Sequence, residues 1–322
     1  MTIENLTRRA ALVGATALGT TSLGLTAGAA FARTPDEEGY APVPGGRIYW
    51  RRFGSGSKTP LLTLHGGPGA AHNYLLSLKA LADDRPVIFY DQLGTGKADA
   101  PTDEKIYTVQ RSVDELDAVR SALKLDKLVL YGHSWGSMLA IEYLCQGRGK
   151  GIDNIILGGA LASVPQASAG QQRLIDAMPD GYAAKLHGLE KAGKMDTPEY
   201  ADLTQKFYDK HVLRVPPTPD ALASFEALSK SIAYRVMNGP NEFYINGVIK
   251  DWDRRKDLKA ITQRTLITTG QFDEVTLDCH ETIRDGVAGP VQMVVMKDCS
   301  HMTMVEKPDQ YLGLLRDFLA KA

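Results

Sequence analysis

The chain has 322 residues, of which 43% are hydrophobic and 23% are charged, a balance that suits a globular protein with a sizeable core. Its formal net charge of −1 gives no reason to expect a nucleic acid or another polyanion as a partner. The cysteines Cys145, Cys279 and Cys299 are too few for a disulfide scaffold and lack the spacing of a zinc site, so we predict no metal. Small buried thiols are the simplest expectation, although Cys279 and Cys299 could pair after export.

Residues 1–32 have the composition of an export signal. Arg8 and Arg9 precede an uncharged stretch rich in Ala, Gly, Leu and Thr, which ends in an A-x-A cleavage pattern at residues 30–32. The arginine pair predicts the twin-arginine route to the periplasm or the cell exterior. An uncleaved membrane anchor is the alternative, but the many Gly and Thr residues would make a poor span. We therefore expect no stable membrane insertion after cleavage.

Residues 33–161 carry the apolar runs of the first part of a core domain. Residues 33–43 look like a polar lead-in, and residues 47–53 alternate like an edge strand. Residues 74–81 and 109–123 have helical spacing, and Thr108 could cap the second of these helices. Buried strands are predicted for residues 60–64, 86–90, 127–131 and 152–157.

The pattern changes at residues 162–257, where helical spacing dominates, and we predict a helical cap over the site there. The core resumes at residues 258–322, with strands at residues 265–269 and 291–296 and a closing helix at residues 305–320. Short apolar strands that alternate with helices predict an α/β fold, in which a mostly parallel sheet is covered by helices on both faces. Functional sites in such sheets form beyond the carboxyl ends of the strands.

The sequence around Ser134 is a G-x-S-x-G motif between a predicted strand and a predicted helix. This arrangement predicts a nucleophile elbow, a turn so tight that Gly132 and Gly136 are needed on either side of the exposed serine. The helix that follows would point its N-terminal N–H groups at the site. An ordinary glycine-rich turn is the alternative interpretation.

A serine hydroxyl needs a neighbouring base, and the base needs a carboxylate that orients it. His301 follows the strand at residues 291–296, and Asp273 follows the strand at residues 265–269. Each residue alone has a structural explanation, but both lie at strand ends. The chain order Ser134, Asp273, His301 is that of the α/β-hydrolase fold. We predict that these three residues are catalytic.

Two backbone N–H groups are needed to stabilise the oxyanion of an acyl-transfer reaction. One candidate is the N–H of Trp135, directly after the nucleophile. The other is the N–H of Gly67 in the loop at residues 65–69, where glycine lets the main chain approach a substrate closely.

Five motifs together, HGGPG, DQLGTG, GHSWGS, GQFDEVT and DCSHMTM, resemble the proline iminopeptidase family of α/β-hydrolases. The segments at residues 237–243 and 250–253 are similar to the subgroup that contains the tricorn-associated aminopeptidase. The resemblance implies a serine aminopeptidase, with Ser134 as nucleophile, His301 as acid and base, and Asp273 as its partner. It also implies that Glu242 and Glu274 bind the free amino group of a short peptide or aminoacyl substrate, and it implies no cofactor.

Physical reasoning agrees with this assignment of the two glutamates. Two carboxylates near the nucleophile would bind a positive amine and penalise a blocked one. Helix capping or surface ion pairs are the alternative roles for Glu242 and Glu274. Phe243, Tyr244 and Trp252 would either line the substrate pocket or pack in the core.

Other functions remain open at this stage. The same triad could hydrolyse amino-acid amides or esters, or could belong to a general carboxylesterase. A catalytically inactive binding module is a further alternative, and an Asp-nucleophile dehalogenase or epoxide hydrolase is disfavoured because residue 134 is Ser. Leu93 and Ala98 depart from the pattern of the bacterial proline-specific enzymes, which weakens an expectation of strict proline preference.

Overall fold

A single sheet with the strand order β1-β2-β4-β3-β5-β6-β7-β8 organises residues 33–321, the part of the chain that the computed structural model describes. The proposed signal peptide at residues 1–32 lies outside the described residues. β1 and β2 pair antiparallel, as do β2 and β4, and the remaining pairs are parallel. The strands are β1 Glu37–Val43, β2 Gly46–Phe53, β3 Leu61–Leu64, β4 Val87–Asp91, β5 Leu128–His133, β6 Ile152–Gly158, β7 Arg264–Gly270 and β8 Val291–Met296.

Helices cover both faces of this sheet, as the alternating pattern predicts. In β5, Val129 and Tyr131 contribute to the core on one face, while Leu128 and Leu130 contribute to the core on the other. The helices are α1 Val109–Ala122, α2 Trp135–Cys145, α3 Val164–Asp176, α4 Tyr182–Lys191, α5 Pro198–His211, α6 Pro219–Lys230, α7 Ile232–Met237, α8 Leu277–Gly286, α9 Thr303–Glu306 and α10 Pro308–Leu319. Within residues 33–321, none of the helices is both long and apolar enough to cross a membrane.

Helices α3 to α7 lie between β6 and β7, in the segment predicted to be a cap. The last part of that segment differs from the prediction, because residues 238–257 form turns and isolated bridges instead of helix. This return segment is held to α2 by Arg254, whose guanidinium pairs with the buried Glu142, and by the indole N–H of Trp252, which donates to the same carboxylate.

Two local predictions were wrong. The polar lead-in contains β1, and β2 therefore lies between two strands instead of at the edge. The closing helix is two helices, because Pro308 disfavours helical geometry at Lys307, where φ is −137° and ψ is 64°. The helix predicted at residues 74–81 is present, and it is of the 3₁₀ type, Asn73–Asp83. Cys145, Cys279 and Cys299 are free thiols.

Candidate active site

Ser134 occupies the sharp turn between β5 and α2 in a strained conformation. Its φ is +55° and its ψ is −122°, a region that residues other than glycine rarely adopt. A Cβ on Gly132 would collide with the backbone of Gly136, and a Cβ on Gly136 would collide with the carbonyl group of Leu64. Both flanking positions therefore exclude a side chain, and the turn leaves Ser134 partly exposed between buried neighbours.

Asp273, in the loop after β7, meets His301, in the loop after β8. His301 Nδ1 lies 2.7 Å from Asp273 Oδ1, and this carboxylate also accepts hydrogen bonds from Thr269 Oγ1 and the Val275 N–H. Because an ionised carboxylate only accepts hydrogen bonds, Nδ1 carries the proton and Nε2 is left for the pocket. Ser134 and His301 line that same pocket.

Electrostatics stabilise the ion pair of this carboxylate and imidazole. Burial by itself would raise the pKa of Asp273, but His301, together with His280 and the Val275 N–H, outweighs burial and the pKa falls to about 2. Burial by itself would lower the pKa of His301, but Asp273, Glu274 and Glu242 together raise it to about 9. The imidazole of His301 therefore holds its proton strongly while no cation is bound to Glu242 and Glu274.

The two predicted oxyanion donors also meet at Ser134. Gly67 lines the catalytic pocket, and both Gly67 and Trp135 line an adjoining inner pocket that Ser134 shares. Among residues 33–321, no acceptor is found for the backbone N–H of Gly67 or of Trp135. A Cβ on the preceding Gly66 would lie 2.9 Å from Ser134 Cβ, so only glycine permits this loop to pack against the serine.

Gln92, after β4, connects the HGGPG loop and the start of α2, the two segments that carry these donors. Its side-chain amide donates to the carbonyl oxygen of His65 at 3.0 Å, and its Oε1 accepts the indole N–H of Trp135 at 2.9 Å. One side chain thus fixes the HGGPG loop and the start of α2 relative to each other. This residue belongs to the DQLGTG motif, whose role the sequence did not reveal.

Glu242 and Glu274 both line the catalytic pocket and the inner pocket. Glu274 is 2% exposed, and Glu242 accepts a 2.7 Å hydrogen bond from Tyr234 Oη. Burial raises the pKa of both carboxyl groups, and the proximity of Glu242 raises the pKa of Glu274 further. The structure thus places two carboxyl groups beside the serine. Their raised pKa values mean that their negative charges are poorly stabilised, so the pair is suited to binding a cation.

Comparisons with known proteins identify the family. The alpha/beta hydrolase fold family matches residues 59–308. A proline iminopeptidase of Saccharolobus solfataricus is 40% identical over 287 residues, which cover 88% of this chain and 92% of that protein. The chain belongs to the proline iminopeptidase family of α/β-hydrolases. Its predicted fold and family are thereby confirmed, and it is a serine hydrolase of the aminopeptidase type.

Solved structures agree with this family assignment. The proline iminopeptidase of Mycobacterium smegmatis superposes with a TM-score of 0.82 at 32% identity, covering 88% of this chain and 98% of that one. The crystal structure of VinJ superposes with a TM-score of 0.86 at 33% identity, covering 89% of this chain and 99% of that one.

Tyr74 and His133 form a buried hydrogen-bonded chain in this hydrolase that the motifs did not predict. The Gly66 N–H donates to Tyr74 Oη at 2.7 Å, and Tyr74 Oη lies 2.9 Å from His133 Nδ1. His133 Nε2 lies 3.0 Å from the carbonyl oxygen of His301. Because that oxygen only accepts, Nε2 carries the proton, and Tyr74 donates to Nδ1. Burial lowers the pKa of His133 to about 3, which keeps the ring neutral.

His211, at the end of α5, joins the two catalytic loops. Its carbonyl oxygen accepts hydrogen bonds from the backbone N–H of Glu274 at 3.1 Å and of His301 at 3.2 Å. Its ring Nδ1 lies 2.8 Å from the carbonyl oxygen of Phe272. A helix of the inserted segment is therefore part of the frame that positions the histidine loop and the acidic loop.

Of the three aromatic residues considered for either the pocket or the core, two make contacts away from Ser134. Phe243 packs against Phe207, with ring centroids 5.0 Å apart, and Trp252 bonds to Glu142. Phe243, Tyr244 and Trp252 do not line the pockets around Ser134. Of the described residues 33–321, no three His, Cys, Asp or Glu side chains are grouped so that they could hold a metal ion.

Proposed function

We propose that this protein releases an N-terminal residue, proline or a broader set, from short peptides through an acyl-enzyme on Ser134. The observation that carries the proposal is the convergence of Ser134, the paired His301 and two carboxyl groups on one pocket. A serine and a paired histidine support acyl transfer, and carboxyl groups beside them select a substrate with a free amine.

In the proposed acylation step, Ser134 Oγ attacks the carbonyl carbon of the first residue while His301 Nε2 takes the hydroxyl proton. The N–H groups of Gly67 and Trp135 would stabilise the oxyanion, and each such donor is worth about 3–4 kcal/mol in the transition state. His301 then protonates the leaving nitrogen as the carbon–nitrogen bond breaks. Water, activated by His301, releases the residue from Ser134. The sequence of steps uses no cofactor.

Glu242 and Glu274 would determine which peptide bond is cleaved. A terminal ammonium held by these carboxylates places the first carbonyl, and no later one, against Ser134. A substrate with an acetylated nitrogen has no charge to offer, so two carboxyl groups would lose their water without gaining an ion pair. This penalty explains how an aminopeptidase would reject internal peptide bonds.

The decisive experiment compares proline p-nitroanilide with its N-acetylated form. We expect kcat/KM for the free amine to exceed that for the blocked one by at least about a hundredfold, since an uncompensated buried charge costs several kcal/mol. Equal rates would contradict amine recognition and leave a general esterase or amidase. Adding prolinamide and short proline peptides to the panel separates an amide hydrolase from a peptidase.

The triad is tested with Ser134→Ala, for which we expect hydrolysis to fall by at least about a thousandfold. Ser229→Ala is the matched control, because Ser229 is exposed on α6 and its hydroxyl donates only to Glu226. Full activity in purified Ser134→Ala protein would overturn the mechanism.

We also propose that residues 1–32 direct export by the twin-arginine route. The support is the Arg8–Arg9 pair before an uncharged stretch with an A-x-A end. N-terminal sequencing of the exported protein should find a start after residue 32. Replacing both arginines by lysine should retain the protein in the cytoplasm, and export of that variant would contradict the proposed route.

A further inference from the structure

The catalytic pocket adjoins a second, outer pocket between α5 and α6, and we call the two together the channel. Val212, Phe225, Leu228 and Glu242 line both, so the two cavities share a wall. The outer pocket extends past Tyr208, Asp209, Leu213 and Pro217 to Val215. Val215 is 37% exposed, which places the mouth of this channel at the surface of the inserted segment.

The position of His301 indicates which pocket takes the acylating residue and which takes the leaving group. His301 lines the catalytic pocket but does not line the inner pocket, which is formed by side chains such as Met138, Leu161 and Ile249. A leaving nitrogen must lie next to His301 to receive its proton. The acylating residue therefore points into the inner pocket, and the leaving group points into the catalytic pocket and on towards the outer one.

We propose that the outer pocket is the subsite for the leaving group and that it takes apolar residues directly after the scissile bond. This inference rests on the proposed function, because it presumes acyl transfer at Ser134. Val212, Leu213, Phe225 and Leu228 supply carbon surface that an apolar chain would remove from water. Besides the phenol of Tyr208, the ionisable side chains that line the outer pocket are the carboxyl groups of Asp209 and Glu242, so an acidic residue is disfavoured there.

A series of proline n-alkylamides tests the subsite directly, because lengthening the alkyl chain adds apolar area and leaves the scissile amide unchanged. We expect kcat/KM to rise about two- to fourfold for each methylene that enters the channel, as burial of a methylene predicts. Every compound in the series has a free amine, so the carboxylates of Glu242 and Glu274 keep their ion-pair partner. If hydrolysis is rapid and depends on Ser134 but kcat/KM does not change with chain length, the proposed subsite is wrong and the proposed function still stands. Absence of hydrolysis throughout would overturn the subsite, and the p-nitroanilide comparison would then decide whether the proposed function fails as well.

A pair of exposed valines provides matched variants. Val215→Asp places a charge at the mouth, and we expect it to lower the ratio of the octylamide to the methylamide kcat/KM by about tenfold, the cost of about two to three lost methylenes. Val248→Asp is the control, because Val248 is 49% exposed and lies outside the three pockets that adjoin Ser134. That control should keep the wild-type ratio. An unchanged ratio in Val215→Asp would mean that the chain leaves by another route, and the proposal would fail.

Peptide leaving groups give the final comparison. Prolyl-phenylalaninamide should have a kcat/KM at least about tenfold above that of prolyl-aspartamide, since an aromatic side chain gains burial where an acidic one meets Asp209 and Glu242. Equal values for the two dipeptide amides would contradict an apolar subsite.

Discussion

His301 Nε2 lies 3.8 Å from Glu274 Oε1, so the imidazole has Asp273 on one side and a second carboxyl group on the other. Although burial opposes it, this surrounding negative charge raises the pKa of His301 to about 9. The unprotonated imidazole that can accept the Ser134 proton therefore becomes more abundant as the pH rises towards 9. A substrate ammonium that neutralises Glu274 would lower this pKa and make the base available near neutral pH.

Glu274→Gln should lower the pKa of His301. Charges about 4 Å apart interact by about 1–4 kcal/mol in surroundings between bulk water and a protein surface, so we expect a fall of about one pKa unit or more. The pH dependence of inactivation by phenylmethylsulfonyl fluoride measures this pKa, because the reagent reacts with the active serine and has no amine of its own to titrate. The wild-type midpoint should lie near the value of about 9 found for His301.

Two further variants control that measurement. Glu242→Gln should lower the midpoint less than Glu274→Gln, because Glu242 contributes less to the pKa of His301. Glu199→Gln, on exposed α5 surface, should not change it. An unchanged midpoint in Glu274→Gln would mean that Glu274 stays protonated over the whole range and exerts no charge on the imidazole.

Tyr74→Phe should lower kcat and leave KM nearly unchanged. The substitution removes the hydroxyl between the Gly66 N–H and His133 Nδ1, so the oxyanion loop and the histidine loop lose their link. Small displacements of catalytic groups are costly, and we expect kcat to fall about tenfold. Each of the two buried groups left unpaired should also cost about 1–3 kcal/mol in the free energy of unfolding.

Tyr107→Phe is the matched control for this prediction. Tyr107 is also buried, and its hydroxyl donates to the Pro101 carbonyl at 2.6 Å, away from the pockets around Ser134. Both variants should be destabilised, but only Tyr74→Phe should lose kcat. Equal losses of kcat in the two would show that Tyr74 acts through stability alone.

The parts of this fold that could be predicted from sequence are those encoded locally. The strand before Ser134 is a continuous apolar run, and Gly132 of the elbow is required by steric exclusion within five residues of chain. Gly136, by contrast, is required by the carbonyl group of Leu64 on the neighbouring strand β3. β1 escaped prediction because Glu37, Glu38 and Pro42 are tolerated at a sheet edge, where one side of the strand faces water. From sequence alone, the polar residues of β1 resemble those of a loop.

The connections around the site could not be predicted for a different reason. His211 lies 90 residues from His301 in sequence, and only the packing of α5 against the core brings its carbonyl oxygen to both catalytic loops. The bonds of Gln92 to His65 and Trp135 likewise join three strand ends. Such contacts depend on tertiary arrangement and leave no periodic signal in the sequence.

Gly132→Ala should abolish both folding stability and activity. The added Cβ would collide with the backbone around Gly136, which cannot move without opening the elbow. We expect a loss of about 4 kcal/mol or more in the free energy of unfolding, measured by urea denaturation. Gly313→Ala is the control, because a Cβ there meets nothing within 4 Å inside α10. It should raise the free energy of unfolding by about 0.5–1 kcal/mol. Wild-type stability in Gly132→Ala would contradict the proposed tight turn.

Acid should destabilise the fold through its buried neutral histidines. Burial lowers the pKa of His65 to about 4, whereas an unfolded chain binds a proton at this residue near pH 6.5. The unfolded state therefore holds more protons, and the contribution of His65 to stability is complete above pH 6.5 and is lost progressively as the pH falls towards 4. Well inside that window the loss is about 1.4 kcal/mol for each pH unit.

The comparison of wild type with His65→Asn isolates this residue. Burial also raises the pKa of Glu115, Glu242 and Glu274, and these groups stabilise the folded state as the pH falls, which opposes the histidines in any single protein. Their contribution is the same in both proteins and cancels in the difference. Urea denaturation at pH 7, 6 and 5 should show a weaker pH dependence in the variant, by about 1.4 kcal/mol per unit below pH 6. Parallel curves would mean that the pKa of His65 is the same in the folded protein as in the unfolded chain.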